Sequence, residues 1–238
     1  MLRTQYSCIP GEVHLWRIEL DCAATSVAVL KATLSAEELE RAARFRSREL
    51  CDRWTVARGA LRCILAAYSR SEPSSLVLRA GPQGKPELAW PTGNLSFNLS
   101  HTCGLALLAI AESGRVGVDA ETVRPGIEVA DLSRRFFAPA EADEILALPS
   151  EAQLAAFFTC WTRKEAFVKA LGTGLSVPLH RFRVTVRADQ PARLMAVDWD
   201  ESGRWTLVDV GEPGIAATLA IEGHSPVLRR LRFTPPSS

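Results

Sequence analysis

The sequence predicts an α+β fold of two similar lobes in a pseudo-twofold arrangement, each an antiparallel-rich sheet with packed helices, with a cleft between them. Two observations support this prediction. Segments that alternate with the period of two typical of strands occur in both halves of the chain, and each half also has two or three segments with helical periodicity. The halves meet near the turn at Gly114, so we expect an N-terminal lobe over residues 1–114 and a C-terminal lobe over residues 115–238.

Composition narrows the possible functions. The chain has 238 residues, of which 47% are hydrophobic and 23% charged, as in ordinary globular proteins. Its net charge of +1 gives no general attraction for polyanions, so neither nucleic acid nor a membrane is expected as a partner. Residues 1–10 lack the apolar core of a secretory signal, and the longest apolar run, Leu105 to Ala111, is too short to cross a bilayer. Six cysteines without CxxC spacing favour reduced thiols in a cytoplasmic protein over a zinc site.

The N-terminal lobe is predicted to begin with a strand over His14 to Leu20. A helix with Ser35 as its N-cap follows and ends near Arg46 or Arg48. Apolar residues at helical spacing predict a second helix from about Leu50 to Tyr68.

These two helices carry seven arginines within 22 residues: Arg41, Arg44, Arg46, Arg48, Arg53, Arg58 and Arg62. Charge runs of this kind are usually solvated helix faces. The alternative is a site for a multiply phosphorylated ligand, because the planar guanidinium group binds phosphate oxygens in pairs. The sequence alone leaves both interpretations open.

The segment Gly81-Pro82-Gln83-Gly84-Lys85-Pro86 resembles a phosphate-binding loop only superficially. A P-loop needs GxxxxGK followed by Ser or Thr and then a helix, whereas here the glycines are too close together and a proline follows the lysine. We therefore predict a tight turn that presents Lys85.

Leu95 to His101 alternates apolar and polar residues, which predicts a strand with Ser96, Asn98 and Ser100 on its polar face. A single histidine is usually structural. His101, however, ends this strand beside Ser100, so both are candidate ligand-binding residues.

Leu105 to Ala111 and Val116 to Glu121 are predicted to pair as a β-hairpin across the turn at Gly114. Asp119 and Glu121 share one face of the second strand. Two carboxylates on one face repel unless a cation or water lies between them, so this strand end either runs into solvent or binds a ligand. Gly117, just before them, is typical of a place where a ligand approaches closely.

A long helix is predicted from about Glu151 to Leu171, and four alternating segments after it predict a mostly antiparallel sheet. Glu165 lies on a stripe of this helix that is otherwise apolar: Leu154, Phe158, Trp161 and Val168. A carboxylate in that setting is costly unless a cation or a strong donor meets it, and Lys169, one turn later, reaches the same space. The alternative is an ordinary ion pair on a helix flank.

Asp119, Glu121 and Glu165 are therefore three carboxylates from two elements, and a strand packed on the long helix would bring them around one hard cation. Magnesium takes oxygen ligands, keeps several waters and binds alongside substrate phosphates. Lys85, His101, Lys169 and the arginine cluster are candidate phosphate-binding groups around this site. A metal site surrounded by such groups is the combination that phosphoryl-type chemistry requires.

The segment Gly117–Glu121, followed about 40 residues later by Trp161–Lys169, resembles the paired signature of the 4′-phosphopantetheinyl transferases. Three further motifs of the larger, Sfp-type branch of this family are also matched, at Gly84–Pro86, Phe97–His101 and Gly172–Leu175. The resemblance covers about Ser35 to Leu179, roughly 60% of the chain. The length of the chain is similar to that of proteins in this two-lobed branch. The other branch, the trimeric holo-acyl-carrier-protein synthases, has chains of about half this length.

The resemblance implies a monomeric transferase that moves phosphopantetheine from coenzyme A to a serine of an apo acyl or peptidyl carrier protein, in the cleft between the lobes, and releases adenosine 3′,5′-bisphosphate. By the same motifs, Asp119, Glu121 and Glu165 hold Mg²⁺, with Mn²⁺ as an alternative. Glu165 deprotonates the serine, directly or through a metal-bound water, and Lys169 binds the phosphate. Contacts to coenzyme A are implied for six residues, mostly in the N-terminal lobe: Arg41, Arg53, Lys85, Ser100, His101 and Lys169.

This chain departs from the family pattern in the first N-terminal helix, where two positions are often basic and here are Glu38 and Arg41, and at Ala120, which replaces a commoner branched residue between the two acids. Other functions also use such a site. A metal-dependent phosphodiesterase or nucleotide hydrolase would use the same carboxylates with water as nucleophile, and a non-catalytic coenzyme A or carrier-protein binding module would need no base at Glu165. The order of the motifs favours the transferase. The sequence identifies neither the carrier protein nor the preferred metal.

Overall fold

The computed structural model describes residues 5–81, 83–91, 93–174, 177–197, 202–224 and 226–235. It confirms the predicted α+β class, with antiparallel-rich sheets and packed helices. The elements of the first half are β1 (Glu12–Glu19), α1 (Ala24–Lys31), α2 (Ala36–Ala43), α3 (Arg48–Ser69), β2 (Val77–Ala80), β3 (Pro86–Trp90), β4 (Ser96–Thr102) and β5 (Leu105–Ala111). Those of the second half are β6 (Val116–Thr122), α4 (Val129–Phe136), α5 (Pro139–Leu146), α6 (Ser150–Leu171), β7 (Phe182–Val184), β8 (Leu194–Val197), β9 (Trp205–Asp209), β10 (Ile215–Glu222) and β11 (Val227–Phe233).

Two main sheets form the framework. The first has the strand order β11–β1–β5–β4 and the second has the order β6–β10–β9. Paired strands are antiparallel except β1 and β11, which are parallel. The antiparallel ribbons β2–β3 and β7–β8 complete the described strands. Within the described residues, no helix combines the length and the apolar character needed to cross a bilayer.

Local side-chain chemistry sets the helix ends. Ser35 and Glu38 form a capping box at the start of α2, because each side chain bonds the backbone N–H of the other residue. The Ser47 side chain caps the start of α3. Helix α2 ends at Ala43, earlier than the end near Arg46 or Arg48 that the sequence predicted. At its other end α6 stops at Gly172, whose φ of 72° places it in the left-handed region that favours glycine.

Apolar side chains stack these elements in layers. Ile64 of α3 and Leu108 of β5 belong to a cluster that covers one face of the first sheet. Val118 and Leu219 belong to a second cluster that joins the other face to the second sheet. Phe167 belongs to a third cluster around α6. Strands β6 and β10 therefore lie between the central apolar layer and α6, so one face of β6 is turned toward that helix.

Gly117 lets β6 pack directly on α6. A Cβ atom at this position would lie 2.2 Å from the carbonyl oxygen of Ala166 and 2.3 Å from the backbone nitrogen of Ala170. The sequence led us to expect a ligand close to this glycine, and that expectation is wrong because helix backbone fills the space. The packing nevertheless serves the site, since Asp119 follows two residues later on the same face.

We predict that Gly117→Ala lowers the free energy of unfolding by about 3 kcal/mol or more, because both neighbours are backbone atoms that cannot turn aside. Urea denaturation followed by circular dichroism measures this. Gly203→Ala is the matched control, because a Cβ there meets no atom within 4 Å, and it should change stability by less than about 0.5 kcal/mol. Equal stability of the two variants would contradict the described packing.

The hairpin predicted from Leu105 to Glu121 is wrong. Strand β5 pairs with β1 and β4, whereas β6 pairs with β10 in the other sheet. All seven residues of β5 are buried, because one face packs on α3 and the other on the second sheet. The turn at Gly114 therefore carries the chain from one sheet to the other, and the hairpin of this region is β4–β5, with a short turn at Cys103 and Gly104.

The predicted lobe boundary does not hold for the last strand. Strand β11 returns to the first sheet and pairs in parallel with β1, from Glu12 opposite Val227 to Ile18 opposite Phe233. Phe233 is 2% exposed and packs in the core beneath α3. Burial of this side chain and main-chain pairing hold the C-terminal segment on the N-terminal lobe.

Candidate functional site

Asp119 lies at the centre of the candidate site, on the part of β6 that faces α6, and is 3% exposed. Its Oδ1 accepts hydrogen bonds from Lys169 Nζ at 2.6 Å and from Ser100 Oγ at 3.2 Å. Its Oδ2 is buried and has no hydrogen-bond partner among the described residues. A buried carboxylate oxygen without a partner is costly, so this atom is suited to meet a cation or a donor group of a ligand.

Two further carboxylates share the electrostatic environment of Asp119. Burial raises the pKa of Glu165, and the charges of Asp119 and Glu121 raise it further against the opposing effect of Lys169. Burial and the charge of Asp119 likewise raise the pKa of Glu121, with Lys169 and Arg124 opposing. The strand and the helix thus bring the three acids named from the sequence into one neighbourhood.

The spacing of these acids is loose. Among the described residues, the one set of three His, Cys, Asp or Glu side chains whose ligand atoms lie within 4.8 Å of one another is Cys8, Glu12 and His14, so the three carboxylates are spaced more widely than this limit. The three carboxylates repel one another, and with Lys169 as the cation among them this repulsion favours a wide spacing. The all-oxygen donor set and the unpartnered Oδ2 of Asp119 fit a hard divalent cation.

The cluster of Cys8, Glu12 and His14 forms a buried hydrogen-bond network. The Cys8 thiol donates to the Glu12 carbonyl oxygen at 3.2 Å, and Arg229 pairs with the Glu12 carboxylate at 2.6 Å. His14 bonds both Glu12 and the Tyr68 hydroxyl. Burial raises the pKa of the Cys8 thiol, and a thiol that stays protonated is a poor metal ligand. All six cysteines of the chain are free, as the sequence predicted.

Three side chains beside Asp119 provide a polar, positively charged surface. Ser100 Oγ accepts a hydrogen bond from Lys169 Nζ at 3.0 Å while it donates to Asp119. His101 lies near the end of β4 and is exposed. Partial desolvation of its ring and the nearby charge of Lys169 lower its pKa. The ring is therefore mainly neutral at neutral pH.

Two adjoining cavities of about 320 Å³ each extend from His101 along the first helices. Both are lined by Arg41, Trp54 and His101. The Arg41 guanidinium lies over the Trp54 ring at 5.8 Å from its centroid. One cavity reaches Gly84 in the β2–β3 turn, and the other reaches Arg53. This combination of cations and aromatic surface suits a phosphorylated nucleotide.

Lys85 belongs to the turn between β2 and β3, and its side chain reaches β6 and α6. Its Nζ donates to the carbonyl oxygens of Val116 at 3.0 Å and of Lys169 at 2.9 Å. An ammonium group has three donors, so one remains for a ligand. Burial lowers the pKa of Lys85 to about 8.

The seven arginines divide into two groups. Four have carboxylate partners: Arg48 with Asp52, Arg53 with Asp21 and Glu49, and both Arg58 and Arg62 with Glu38. Arg62 is 1% exposed and also donates to two backbone carbonyls, so its role is structural. For Arg41, Arg44 and Arg46 the described residues supply no carboxylate. Neither of the two interpretations left open by the sequence therefore describes the whole cluster.

The sequence did not identify Arg163 and Lys164 as structural residues. They lie inside the Trp161–Lys169 motif and are fully buried. Lys164 Nζ pairs with Glu141 at 2.7 Å and donates to the carbonyl oxygens of Leu179 and Phe182 at 2.8 and 2.5 Å. Arg163 bonds Asp209 and the loop after β7. Two consecutive cations in a helix that is buried on most sides were the available signal.

Comparison with known proteins gives consistent results. Residues 115–220 match the family described as the 4′-phosphopantetheinyl transferase superfamily. The chain is 38% identical over 218 residues to the 4′-phosphopantetheinyl transferase HetI of Nostoc sp. strain PCC 7120, which covers 90% of each chain. It is 32% identical over 161 residues to a 4′-phosphopantetheinyl transferase of Bacillus subtilis, covering 67% of this chain and 70% of the relative.

The 4′-phosphopantetheinyl transferase Sfp of Bacillus subtilis strain 168 is 29% identical over 157 residues, covering 66% of this chain and 68% of that relative. A solved holo-(acyl-carrier-protein) synthase of Bacillus anthracis shares 20% identity over 46% of this chain and 96% of its own, with a TM-score of 0.37, which is too low to support an argument. The relatives at 38% and 32% identity, aligned over most of their length, place this chain in the 4′-phosphopantetheinyl transferase family, in its Sfp-type branch.

Proposed function

We propose that this enzyme moves the phosphopantetheine group of coenzyme A to a serine hydroxyl of an apo acyl or peptidyl carrier protein. The serine oxygen forms a bond to the phosphorus that carries pantetheine, and the anhydride bond to the other phosphate breaks. Adenosine 3′,5′-bisphosphate leaves with the bridging oxygen. The observation that carries this proposal is the buried, unpartnered Oδ2 of Asp119 beside two acids whose pKa it raises.

Glu165 is the proposed base. A serine hydroxyl is a poor nucleophile at neutral pH, and a positioned carboxylate that takes its proton contributes roughly 10²–10⁴-fold to the rate. The raised pKa of Glu165 brings its basicity closer to neutral pH, which favours proton transfer in the transition state. Its half-buried position on α6 leaves room for an incoming hydroxyl.

Asp119, Glu121 and Glu165 are the proposed ligands of a divalent cation, Mg²⁺ or Mn²⁺. When bound, this cation supplies charge neutralisation for the diphosphate of coenzyme A. Lys169, already paired with Asp119, would bind the phosphoryl oxygens and stabilise the charge that grows on them.

The nucleotide half of coenzyme A is proposed to bind along the two cavities that begin at His101. Five side chains would contact its phosphates or border them: Arg41, Arg53, Lys85, Ser100 and His101. Asp21 and Glu49 largely compensate the charge of Arg53. We therefore propose that Arg53 lines the cavity and contributes less to phosphate binding than the other cations. Glu38 is occupied by Arg58 and Arg62, which leaves Arg41 as the phosphate contact of the first N-terminal helix.

We predict that affinity for adenosine 3′,5′-bisphosphate falls as the pH rises through about 8, because the charged form of Lys85 binds the anion and its pKa is lowered to about 8. The loss should be about twofold at pH 8 and about tenfold at pH 9, as the protonated fraction declines. Isothermal titration calorimetry between pH 7 and 9 measures it.

Lys85→Arg is the control, since arginine keeps its charge and should abolish this decline. The titration of Lys85 does not itself destabilise the fold over this range. A lysine with a lowered pKa binds fewer protons when folded than when unfolded, so between about pH 8 and 10.5 it makes the folded state more stable as pH rises. An identical decline in Lys85→Arg would contradict the role of Lys85.

We also propose a monomer in a reducing compartment such as the cytoplasm. One chain supplies both the carboxylates and the proposed nucleotide cavities, and six free thiols are typical of such a compartment.

The function is tested by incubating the enzyme with coenzyme A, Mg²⁺ and a panel of apo carrier proteins, followed by intact-protein mass spectrometry. We expect one carrier to gain the mass of one phosphopantetheine with release of an equal amount of adenosine 3′,5′-bisphosphate. The same carrier with its acceptor serine changed to alanine is the control. Phosphopantetheine released without any carrier would favour a hydrolase, and ligand binding without any product would favour a binding module.

A further inference from the structure

Strands β4 and β6 are edge strands of different sheets and lie side by side without main-chain pairing. Three short polar side chains of β4 bridge the gap. Asn98 Oδ1 accepts a hydrogen bond from the Val118 N–H at 2.8 Å. Ser100 Oγ accepts one from Ala120 at 3.3 Å, and Thr102 Oγ1 accepts one from Thr122 at 3.0 Å. We call these three bonds the side-chain ladder.

The geometry of the ladder is regular. Each bond joins a residue of β4 to the residue 20 positions later in β6, so the two strands run parallel and in register. Because alternate N–H groups of a strand point to the same edge, the three bonded groups are the free edge of β6 that β10 does not use. Unpaired edges are otherwise exposed to water or to a wrong partner.

The ladder also fixes the two acids of β6. Side chains alternate along a strand, so Asp119 and Glu121 point away from the apolar layer that holds Val118 and Ala120. A slip of β6 along β4 would move both carboxylates relative to Ser100. At the far end of the ladder, the hydroxyls of Thr102 and Thr122 are also 2.9 Å apart, directly after Glu121.

We propose that Asn98 and Thr102 are positioning residues: through the side-chain ladder they hold β6 in register with β4 and so set Asp119 and Glu121 for the divalent cation. This inference rests on the proposed function, because it concerns the same carboxylates. Ser100 differs from the other two, since it also bonds Asp119 and Lys169 directly. Thr102 is therefore the clearest place to test the ladder by itself.

The test compares Thr102→Val, which removes the hydroxyl at nearly constant size, with Thr102→Ser, which keeps it. Mn²⁺ binding to the full-length enzyme is measured by electron paramagnetic resonance, and adenosine 3′,5′-bisphosphate binding without metal by calorimetry. We expect Thr102→Val to weaken Mn²⁺ affinity about tenfold, within the range for groups that orient metal ligands. Thr102→Ser should restore it. Because Thr102 also lines one of the two cavities proposed for the nucleotide, the Mn²⁺ titration is made without nucleotide, and the calorimetry separates a loss at that cavity from a loss at the cation site.

Ser96→Ala is the matched control, because Ser96 precedes Asn98 on the same face and makes no side-chain bond to β6 among the described residues. It should bind Mn²⁺ as the wild type does. Amide hydrogen exchange at Thr122 provides a second measurement, and it should accelerate in Thr102→Val alone. Asn98→Ala tests the other end of the ladder and should also weaken Mn²⁺ binding.

Unchanged Mn²⁺ affinity in Thr102→Val, with accelerated exchange at Thr122, would overturn the inference while leaving the proposed function intact. Equal weakening in Thr102→Val and Thr102→Ser would overturn it as well, because the hydroxyl would then be irrelevant. A wild-type enzyme that binds no Mn²⁺ would instead count against the metal site of the proposed function, and the inference would fall with it.

Discussion

Asp119→Ala will lower the rate of phosphopantetheine transfer by about 10³-fold or more, because it removes a charge that acts directly on the reacting diphosphate. The fold should survive the change. The substitution gives up the ion pair with Lys169, but it also removes a buried oxygen that has no partner and relieves the repulsion on Glu121 and Glu165. We therefore expect a change in unfolding free energy of no more than about 1–2 kcal/mol.

Single-turnover transfer to the apo carrier protein measures the rate, and urea denaturation measures the stability. Asp119→Asn keeps the shape of the side chain and should be nearly as inactive as Asp119→Ala. Asp131→Ala removes an exposed carboxylate of the same lobe and should be fully active. Transfer at a near-normal rate by Asp119→Ala in Mg²⁺ would contradict the proposed role of Asp119 as a ligand of a catalytic cation.

Lys164→Met will lower the free energy of unfolding by about 3–5 kcal/mol, the usual effect of breaking a buried ion pair on one side. The fully buried ammonium meets the Glu141 carboxylate and two backbone carbonyls. The variant removes this donor from all three, and the Glu141 charge keeps only the backbone N–H groups of Ala138 and Val184. A loss of this size is a large share of the stability of a typical domain. Any loss of transfer should follow the loss of folded protein, because Lys164 points away from the site toward α5 and β7.

Urea denaturation of Lys164→Met is compared with that of Lys31→Met, which removes an exposed lysine of α1 and should change stability by less than about 0.5 kcal/mol. The double variant Lys164→Met with Glu141→Gln should lose less stability than the sum of the two single variants, since neutralising Glu141 removes the uncompensated charge. Additive losses would show that the two charges do not interact.

The sequence was informative where local chemistry decides the structure. The long helix, the N-cap at Ser35 and the strand predicted over Leu95 to His101, which the structure has as Ser96–Thr102, follow from periodicity and capping, which depend on near neighbours. The sequence also singled out the three candidate acids, because carboxylates on an otherwise apolar helix stripe or together on one strand face favour a cation nearby. Their role as cation ligands stays a prediction. These features do not depend on which strands pair.

Strand partners depend on the whole chain, and there the sequence failed. Two adjacent alternating segments with a glycine turn between them are typical of a hairpin, yet β5 and β6 belong to different sheets because β1 and β4 occupy both edges of β5. The return of β11 to β1 joins segments about 215 residues apart, and no local pattern records such a pairing. The ladder residues Asn98 and Thr102 were missed as a bridge for the same reason.

Charge patterns were ambiguous because a cation has the same sequence signature in a core, on a surface or in a site. Arg62 and Lys164 turned out to be buried structural residues, whereas Arg41 lines a cavity. Their partners, Glu38 and Glu141, each lie more than 20 residues away in sequence. Only the fold brings these carboxylates to their cations.

Counting the divalent ions held by the protein tests whether Asp119, Glu121 and Glu165 form one cation site. Mn²⁺ is titrated into the enzyme in the presence of adenosine 3′,5′-bisphosphate, and free Mn²⁺ is followed by electron paramagnetic resonance. We expect one bound ion per chain in the wild type, displaced by Mg²⁺, and none at the same concentrations in Asp119→Asn. An unchanged ion count in Asp119→Asn, or no bound ion in the wild type, would contradict a cation site built from Asp119, Glu121 and Glu165.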